Sequence, residues 1–262
     1  MQALRTAATG MAAQQLNVEV ISNNIANMNT VGFKRQRAEF QDLLYQDIER
    51  PGEQSSSTGT VVPTGIQIGA GVKAGSVYRI TEQGSMTQTS NPLDLAVNGA
   101  GYFQVLMPDG STAYTRAGNF SVNDQGQIVT TDGYLVQPTI ALPQNATGVT
   151  VSATGQVQVT VPGQSAPQQV GQLTLASFMN EAGLQAMGDN LFQVSGSSGP
   201  AVTGNPGDQG FGTLMQGYTE ASNVDPVTEV TALISAQRAY EMNSKIVTAA
   251  DQMLTTTSQM KS

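Results

Sequence analysis

The sequence contains no cysteine, no histidine and no tryptophan. Without cysteine the chain has neither a disulfide framework nor a thiolate metal site. Without histidine it lacks the commonest general acid–base group and the commonest metal ligand. Only 11% of the residues are charged and 39% are apolar, a balance that favours an extended β-rich protein over a compact enzyme. We therefore predict no catalytic residue, no cofactor and no metal site.

Long apolar runs are also missing. No stretch of 18 or more apolar residues is present, so we predict no transmembrane helix. Polar residues at Gln14, Gln15 and Asn17 interrupt the apolar core that a cleavable signal peptide would need. Both a cytoplasmic location and export with an intact N-terminus are compatible with this pattern.

Positive charge is scarce in the middle of the chain. The net charge is −8, and residues 51–222 hold three basic side chains against ten acidic ones, whereas the two ends are nearly neutral. Nucleic-acid binding requires a basic surface, so we expect no nucleic-acid partner. The neutral ends can approach one another without strong repulsion.

Apolar residues recur every seven positions near the N-terminus, at Leu4, Met11, Val18 and Ile25, with Ile21 between them. This spacing predicts an amphipathic helix of about 25 residues. The asparagines from residue 23 onward weaken it, and Gly32 is its predicted end.

The C-terminal region has a similar stripe. Asp225-Pro226 predicts an N-cap followed by proline at the first helical position, and the helix should extend to about residue 258. Together the two stripes give the predicted assembly interface: Leu4, Met11, Val18, Ile21, Ile25, Leu233, Tyr240, Val247 and Leu254.

Three partners for these stripes are open: the core of the same domain, a membrane surface, or another helix. A membrane-surface helix carries Lys or Arg on one face and Trp or Phe on the other, which neither stretch offers. Both stripes are terminal and both keep a seven-residue period, so we favour helix–helix packing.

The region between the helices alternates with a period of two, as at Val157, Val159 and Val161. This pattern predicts short strands, separated by turns such as Asp109-Gly110 and Asp132-Gly133. The predicted strands cover residues 77–81, 93–97, 102–107, 120–122, 128–130, 156–161, 170–176 and 192–195. Residues 50–71 are rich in Gly, Ser and Pro and predict an extended arm.

The acidic residues of the turns raise one enzymatic alternative. Asp109, Asp124 and Asp132 could pair as the two carboxylates of a glycoside hydrolase. Each lies in a Gly-containing turn, however, where aspartate commonly bonds its own backbone. We therefore interpret them as turn residues.

Four segments resemble the bacterial flagellar axial proteins, the rod and hook family. These are SNNIANMNTVGFK at 22–34, NGAGYF at 98–103, YTRAGNF at 114–120, and SNVDPVTE at 222–229 with QRAYE at 237–241. The two terminal motifs are the specific ones, and the likeness extends over nearly the whole chain.

The resemblance implies an α+β fold. Its parts would be a coiled-coil-like helical assembly domain (1–34 and 223–262), a connecting segment (35–75) with the extended arm (50–71), and a mostly antiparallel β-rich outer domain (76–222). It also implies a self-assembling structural subunit of the flagellar basal body. The chain length and the arm favour the distal rod, and a proximal rod or hook subunit is the alternative.

The same resemblance implies the partners and the location. The partners are copies of the chain in a helical homo-oligomer, the proximal rod and hook subunits, and the surrounding periplasmic and outer-membrane bushing rings. The rod would span the periplasm and cell wall, and its subunits would leave the cell through the flagellar type III apparatus without signal cleavage. A peptidoglycan-cleaving enzyme and a surface adhesin are alternatives from other classes, but neither explains the paired terminal helices.

Overall fold

A computed structural model of the protein describes residues 2–49, 64–163 and 166–260. Helix α1 spans Gln2–Ala26 and helix α2 spans Pro226–Met260. All the described strands lie between these helices in the sequence. The predicted α+β class, with terminal helices and a β-rich middle, is therefore confirmed.

In the described part of the chain, twenty strands follow α1. They are β1 (Gln36–Asp42), β2 (Tyr45–Glu49), β3 (Ile66–Gly69), β4 (Val72–Arg79), β5 (Met86–Gln88), β6 (Leu95–Asn98), β7 (Tyr102–Leu106), β8 (Thr112–Thr115), β9 (Ser121–Val122), β10 (Ile128–Val129), β11 (Leu135–Gln137), β12 (Gly148–Val151), β13 (Gln156–Thr160), β14 (Gln168–Gln172), β15 (Leu175–Ser177), β16 (Gln185–Gly188), β17 (Leu191–Gln193), β18 (Val202–Gly204), β19 (Thr213–Gln216) and β20 (Tyr218–Glu220). A 3-10 turn lies at Glu181–Gly183.

The first of two compact units contains both helices. It comprises the described parts of residues 1–26, 36–78 and 225–262. The helices run antiparallel, because Asn24 near the end of α1 bonds Glu229 at the start of α2, whereas Gly10 lies against Asn243. Strand β1 pairs with β4, and β2 pairs antiparallel with β3.

The second unit comprises residues 27–35 and 79–224. Its largest sheet has the order β16-β17-β8-β7-β11-β10-β9, with β15 pairing both β7 and β18. Three smaller sheets accompany it: β12-β13-β14, β19-β6 and β20-β5. The strands pair antiparallel, as in the β7–β8 and β12–β13 hairpins.

The main core of this unit consists of the inward-facing residues of several sheets. Val157 and Val159 of β13 are fully buried, as their alternation predicted. Phe103 and Phe120 meet edge to face, with ring centroids 5.0 Å apart. A second cluster gathers Tyr102, Tyr114, Phe178 and Phe192, so the few aromatic residues of the chain are concentrated in this unit.

Several predicted elements differ from those observed. The single strand predicted at 170–176 is wrong, because β14 ends at Gln172 and β15 begins at Leu175 in another sheet. Leu173 between them donates its amide to the Gly155 carbonyl, one step beyond the Gln156–Gln172 pair of β13 and β14.

The boundaries of the N-terminal helix and of the units also differ from the prediction. Helix α1 ends at Ala26, before the predicted Gly32, because Asn27 and Thr30 close a turn through backbone and side-chain bonds of 3.1 Å. Residues 27–35 belong to the β-rich unit and 36–78 to the helical unit, whereas the predicted divisions were at 34–35 and 75–76. Of the predicted arm (50–71), residues 50–63 lie outside the described residues, and Ile66–Gly69 forms β3.

Candidate assembly interface

Helices α1 and α2 meet through small side chains. Ala7 and Ala13 of α1 and Ala236 and Ala250 of α2 are all buried. At Gly10 an added Cβ would lie 2.9 Å from the Asn243 Nδ2 atom, so glycine makes room for this amide. Alanine and glycine at such positions allow two helix backbones to approach closely. Short side chains therefore make up much of the buried surface of the described helix pair, together with Val20 and Ile21 of α1.

Large apolar side chains of α2 remain exposed in the single chain. Their fractional exposure lies between 43% and 78%, and they are Val227, Val230, Ile234, Tyr240, Met242, Ile246, Met253, Leu254 and Met260. Full burial of one such side chain stabilises a protein by about 1.5–3 kcal/mol. Contiguous exposed apolar faces mark interaction sites in soluble proteins, so α2 presents more apolar surface than α1 covers.

The structure places all nine predicted interface residues on this helix pair. Ile21 is buried, and Leu4, Met11, Val18, Ile25, Leu233 and Val247 are half-buried. Tyr240 and Leu254 are exposed. The seven-residue stripes therefore lie partly within the α1–α2 contact and partly at its margin, and their role between copies stays a prediction.

Asn24 forms a buried polar contact that the apolar pattern did not reveal. Its Nδ2 donates to the Gln36 carbonyl at 2.8 Å and to Glu229 Oε2 at 3.1 Å, and its Oδ1 accepts from the Gln36 amide at 2.9 Å. Asn24 is 1% exposed and Glu229 is 5% exposed. One side chain thus joins the end of α1, the start of β1 and the first turn of α2.

The start of α2 follows the prediction. Asp225 Oδ1 accepts the Val227 amide at 3.1 Å, and Asp225 Oδ2 accepts the Thr228 hydroxyl at 2.6 Å. These bonds, the hydroxyl one first, lower the pKa of Asp225. Pro226 occupies the first helical position, where no backbone N–H is needed.

A second polar network, within the β-rich unit, was not predicted at all. Lys34 Nζ lies 2.5 Å from Glu220 Oε1 and 2.8 Å from the Glu82 carbonyl. Arg116 Nε lies 3.2 Å from Glu220 Oε2, close enough for an ion pair although off the line of a hydrogen bond. Burial lowers the pKa of Lys34, and the Glu220 carboxylate opposes this shift.

Arg116 and Glu220 make further bonds to backbone groups. The Arg116 guanidinium donates to the Gly101 carbonyl at 2.6 Å and to the Gly99 carbonyl at 2.8 Å. Glu220 Oε1 accepts the Gly84 amide at 3.0 Å, and the Glu220 backbone carbonyl accepts the Gly32 amide at 2.8 Å. Residues 27–35 are thereby fastened to strand β20.

One of the acidic turn residues, Asp109, bonds the backbone and side chain of its own turn. Asp109 Oδ1 accepts the amide and the hydroxyl of Ser111, at 2.9 and 2.6 Å. Across residues 2–49, 64–163 and 166–260, no cluster of three or more acidic side chains is arranged to hold a metal ion. In the same ranges no helix is long and apolar enough to cross a membrane.

Comparison with known proteins places these elements in one family. Three family models match: "Flagella basal body rod protein" over residues 4–34, "Flagellar hook protein FlgE/F/G D1 domain" over 96–159, and "Flagellar basal body rod FlgEFG protein C-terminal" over 215–260. The flagellar basal-body rod protein FlgG of Caulobacter vibrioides is 71% identical over the full length of both chains. The chain belongs to the flagellar basal-body rod protein family.

Two further relatives have the same name. FlgG of Agrobacterium fabrum is 52% identical over 97% of each chain, and FlgG of Bacillus subtilis is 40% identical over 97% of each chain. The family is a structural one, so the chain is a rod-family structural protein and not an enzyme.

Each matched stretch of this rod-family chain contributes one member of the buried ion network. Lys34 lies in the first stretch, Arg116 in the second and Glu220 in the third. Asn24 and Glu229 likewise come from the first and third stretches. One sequence signal could have revealed the network. Residues 51–222 contain few basic residues, and Arg116 lies within an otherwise uncharged motif.

We predict that Asn24→Ala destabilises the helical unit by about 3 kcal/mol, because it removes the acceptor of the Gln36 amide and one hydrogen bond to the buried Glu229 carboxylate. Thermal unfolding of the monomer, followed by circular dichroism at 222 nm, measures this loss. The matched control is Ser22→Ala, an exposed position on the same helix turn, which should unfold within about 0.5 kcal/mol of the parent. Equal unfolding of both variants would refute the role of Asn24.

A second prediction concerns the buried ion network. Lys34→Met should destabilise the β-rich unit by about 3 kcal/mol, and Glu220→Gln should cost more because it leaves two buried cations without a counter-charge. Urea unfolding followed by near-ultraviolet signals of the tyrosines measures both. Lys73→Met, at an exposed position of β4, is the control and should be nearly neutral. The opposite ranking of the first two variants would show that Glu220 is not the centre of the network.

Proposed function

We propose that this chain is a structural subunit that self-assembles into the distal rod of the bacterial flagellar basal body. Such a rod is a hollow drive shaft that passes torque from the motor to the hook and forms part of the export channel. The subunits would be exported through the flagellar type III apparatus and would lie across the periplasm and cell wall.

The observation that carries this proposal is the apolar surface of α2 that α1 leaves uncovered. A subunit that acts alone would expose these residues to water at a free-energy cost and would tend to aggregate. In a polymer the same residues are buried against neighbouring copies. Of the nine predicted interface residues, Tyr240 and Leu254 are exposed and belong to the proposed contact faces between subunits, and the half-buried members lie at the edges of these faces.

Helix length and charge are consistent with this role. Helix α2 has 35 residues and is thus about 50 Å long at 1.5 Å per residue, which suits the wall of a tube built from parallel copies. The acidic excess of residues 51–222 would face outward, where like charge limits adhesion to the surrounding bushing rings. Proximal rod and hook subunits would be the neighbours at the two ends.

A proximal rod or hook subunit of the same family is the second candidate. The family model that matches residues 96–159 is described as a flagellar hook protein domain, and this match favours the second candidate. Antibody labelling of isolated basal bodies separates the two. Label confined to the distal rod supports the first candidate, and label on the hook or the proximal rod supports the second.

The predicted arm (50–71) is part of the same proposal through its strand β3, which pairs with β2 in a two-stranded ribbon. The ribbon exposes Tyr45, Ile48 and Ile66, and Leu44, directly before β2, is 88% exposed. An isolated two-stranded ribbon is only marginally stable in water, so a neighbouring copy is the natural surface for these side chains. Contacts made by such an arm would stiffen the shaft.

We predict that Leu254→Asp abolishes polymers while leaving the monomer folded. The side chain is 43% exposed in the single chain, so the carboxylate stays hydrated there but would be buried in a polymer, at a cost of several kcal/mol. Sedimentation and electron microscopy of the purified chain measure polymer formation, and circular dichroism checks the helices.

The control for this experiment is Val202→Asp, at a site of 60% exposure in the β-rich unit, which should polymerise as the parent does. Ile25→Asp offers a second helix variant with the same expected loss. Normal polymers from Leu254→Asp and Ile25→Asp would contradict the proposed faces.

A separate prediction tests the β2–β3 ribbon, whose second strand belongs to the predicted arm. Replacement of Leu44 and Ile48 by serine should leave the monomer stable, since both side chains are exposed, but should lower the bending stiffness of the polymer at least severalfold. Persistence lengths from electron micrographs measure this change. Val122→Ser, at a partly exposed site of β9, is the control, and an unchanged stiffness in the double variant would exclude this ribbon as a stiffening contact.

A further inference from the structure

The helical unit contains an open groove of about 350 Å³ along one side of the α1–α2 contact. Val18 of α1 and Tyr240 of α2 supply its apolar lining, and Gln15 and Gln237 also line it. The charged residues of its lining are both acids, Glu19 and Glu241. Gln15 Nε2 donates to Glu19 Oε1 at 3.2 Å, so one wall is held by a side-chain bond. The groove is thus apolar in its lining and negative in its charge.

A different face of α2 carries an apolar stripe whose neighbouring charges are positive. Met242, Ile246 and Met253 follow one another at spacings of four and seven residues, which puts them on one side of the helix. They are 60%, 49% and 64% exposed. We call these three residues the methionine stripe. Methionine side chains are flexible and polarisable, so they fill irregular apolar grooves well.

Two cations flank the methionine stripe. Arg238 lies one turn before Met242, and Lys245 lies three residues after it, so both project beside the stripe. Within the described parts of the chain, neither cation makes a salt bridge. The stripe is therefore apolar with positive neighbours, complementary to the groove with its two carboxylates.

We propose that the methionine stripe of one copy docks in the Val18–Tyr240 groove of a second copy of this chain. The inference rests on the proposed polymerisation and names the two surfaces of one subunit contact. Apolar burial in the groove supplies the attraction, whereas Glu19 and Glu241 opposite Arg238 and Lys245 select the partner and its register.

The position of the two surfaces determines the kind of assembly. By 100° per residue, Met242 and Met253 lie more than 100° around α2 from Tyr240, so the stripe and the groove face different directions. Each copy then offers one groove and one stripe to two different neighbours. Such a contact is heterologous and not two-fold, and it generates an open helical polymer where its rotation does not close into a ring.

Cross-linking tests this contact, because the parent chain has no cysteine. The variant Gln15→Cys/Ile246→Cys, polymerised and then oxidised, should give a ladder of covalent dimers, trimers and longer species. The matched control, Gln15→Cys/Val230→Cys, places the second thiol on another face of α2 at similar exposure, and its cross-linked fraction should be at least about tenfold lower. A 1:1 mixture of the two single variants Gln15→Cys and Ile246→Cys should add covalent dimers but no ladder.

The outcomes separate this contact from the proposed function. A ladder confined to the Gln15/Ile246 variant supports the contact. Normal polymers with no ladder, an equal ladder in the control, or only an internal cross-link within one chain would overturn the contact but leave the rod function standing. Failure of the parent chain to polymerise would overturn the proposed function itself.

Charge reversal gives an independent arm of the same test. Glu19→Lys and Lys245→Glu should each raise the critical concentration for polymerisation about tenfold, and the combined variant should return to within about twofold of the parent. Circular dichroism confirms that each monomer retains its helices. Additive losses in the combined variant would show that these two charges do not face each other.

Discussion

The helical unit depends on how closely two antiparallel helices can approach. Alanines at 7, 13, 236 and 250 and glycine at 10 keep their contact thin. A thin contact holds the helices together but covers only one side of α2. The large side chains of α2 are consequently left for other surfaces. Larger residues in this contact would stabilise the helix pair within one subunit. They would also move the two helices apart and change the relative orientation of their outer faces.

Buried polar contacts fix the register of the packed elements, which small apolar side chains alone leave less strictly defined. Asn24 can satisfy its bonds to Gln36 and Glu229 in only one register of α1 against α2, because a shift of one residue would leave buried polar groups unpaired. Lys34, Arg116 and Glu220 impose a similar condition within the β-rich unit. A subunit that must repeat many times benefits from such fixed registers, since small errors in one copy are multiplied along the polymer.

Much of the local structure could be predicted because local patterns determine it. The seven-residue stripes gave both helices, Asp225-Pro226 gave the start of α2, and the valines at 157 and 159 gave a half-buried strand. The partners could not be predicted in the same way. Lys34 and Glu220 are 186 residues apart, and a single sequence does not indicate which buried cation meets which carboxylate. The stripe on α2 likewise gave a periodicity without showing that Tyr240 and Leu254 would stay exposed.

The exposed apolar side chains of α2 also affect the solubility of the monomer before assembly. A monomer with nine large apolar side chains exposed on one helix is at risk of indiscriminate association, and a net charge of −8 opposes it. Long-range repulsion of this kind is weak at physiological ionic strength beyond about 8 Å. Only a neighbour that aligns opposite charges at the groove can come closer and gain the apolar burial. The net negative charge of the chain therefore opposes random association. The charges of both signs on the helices favour one register between neighbouring copies.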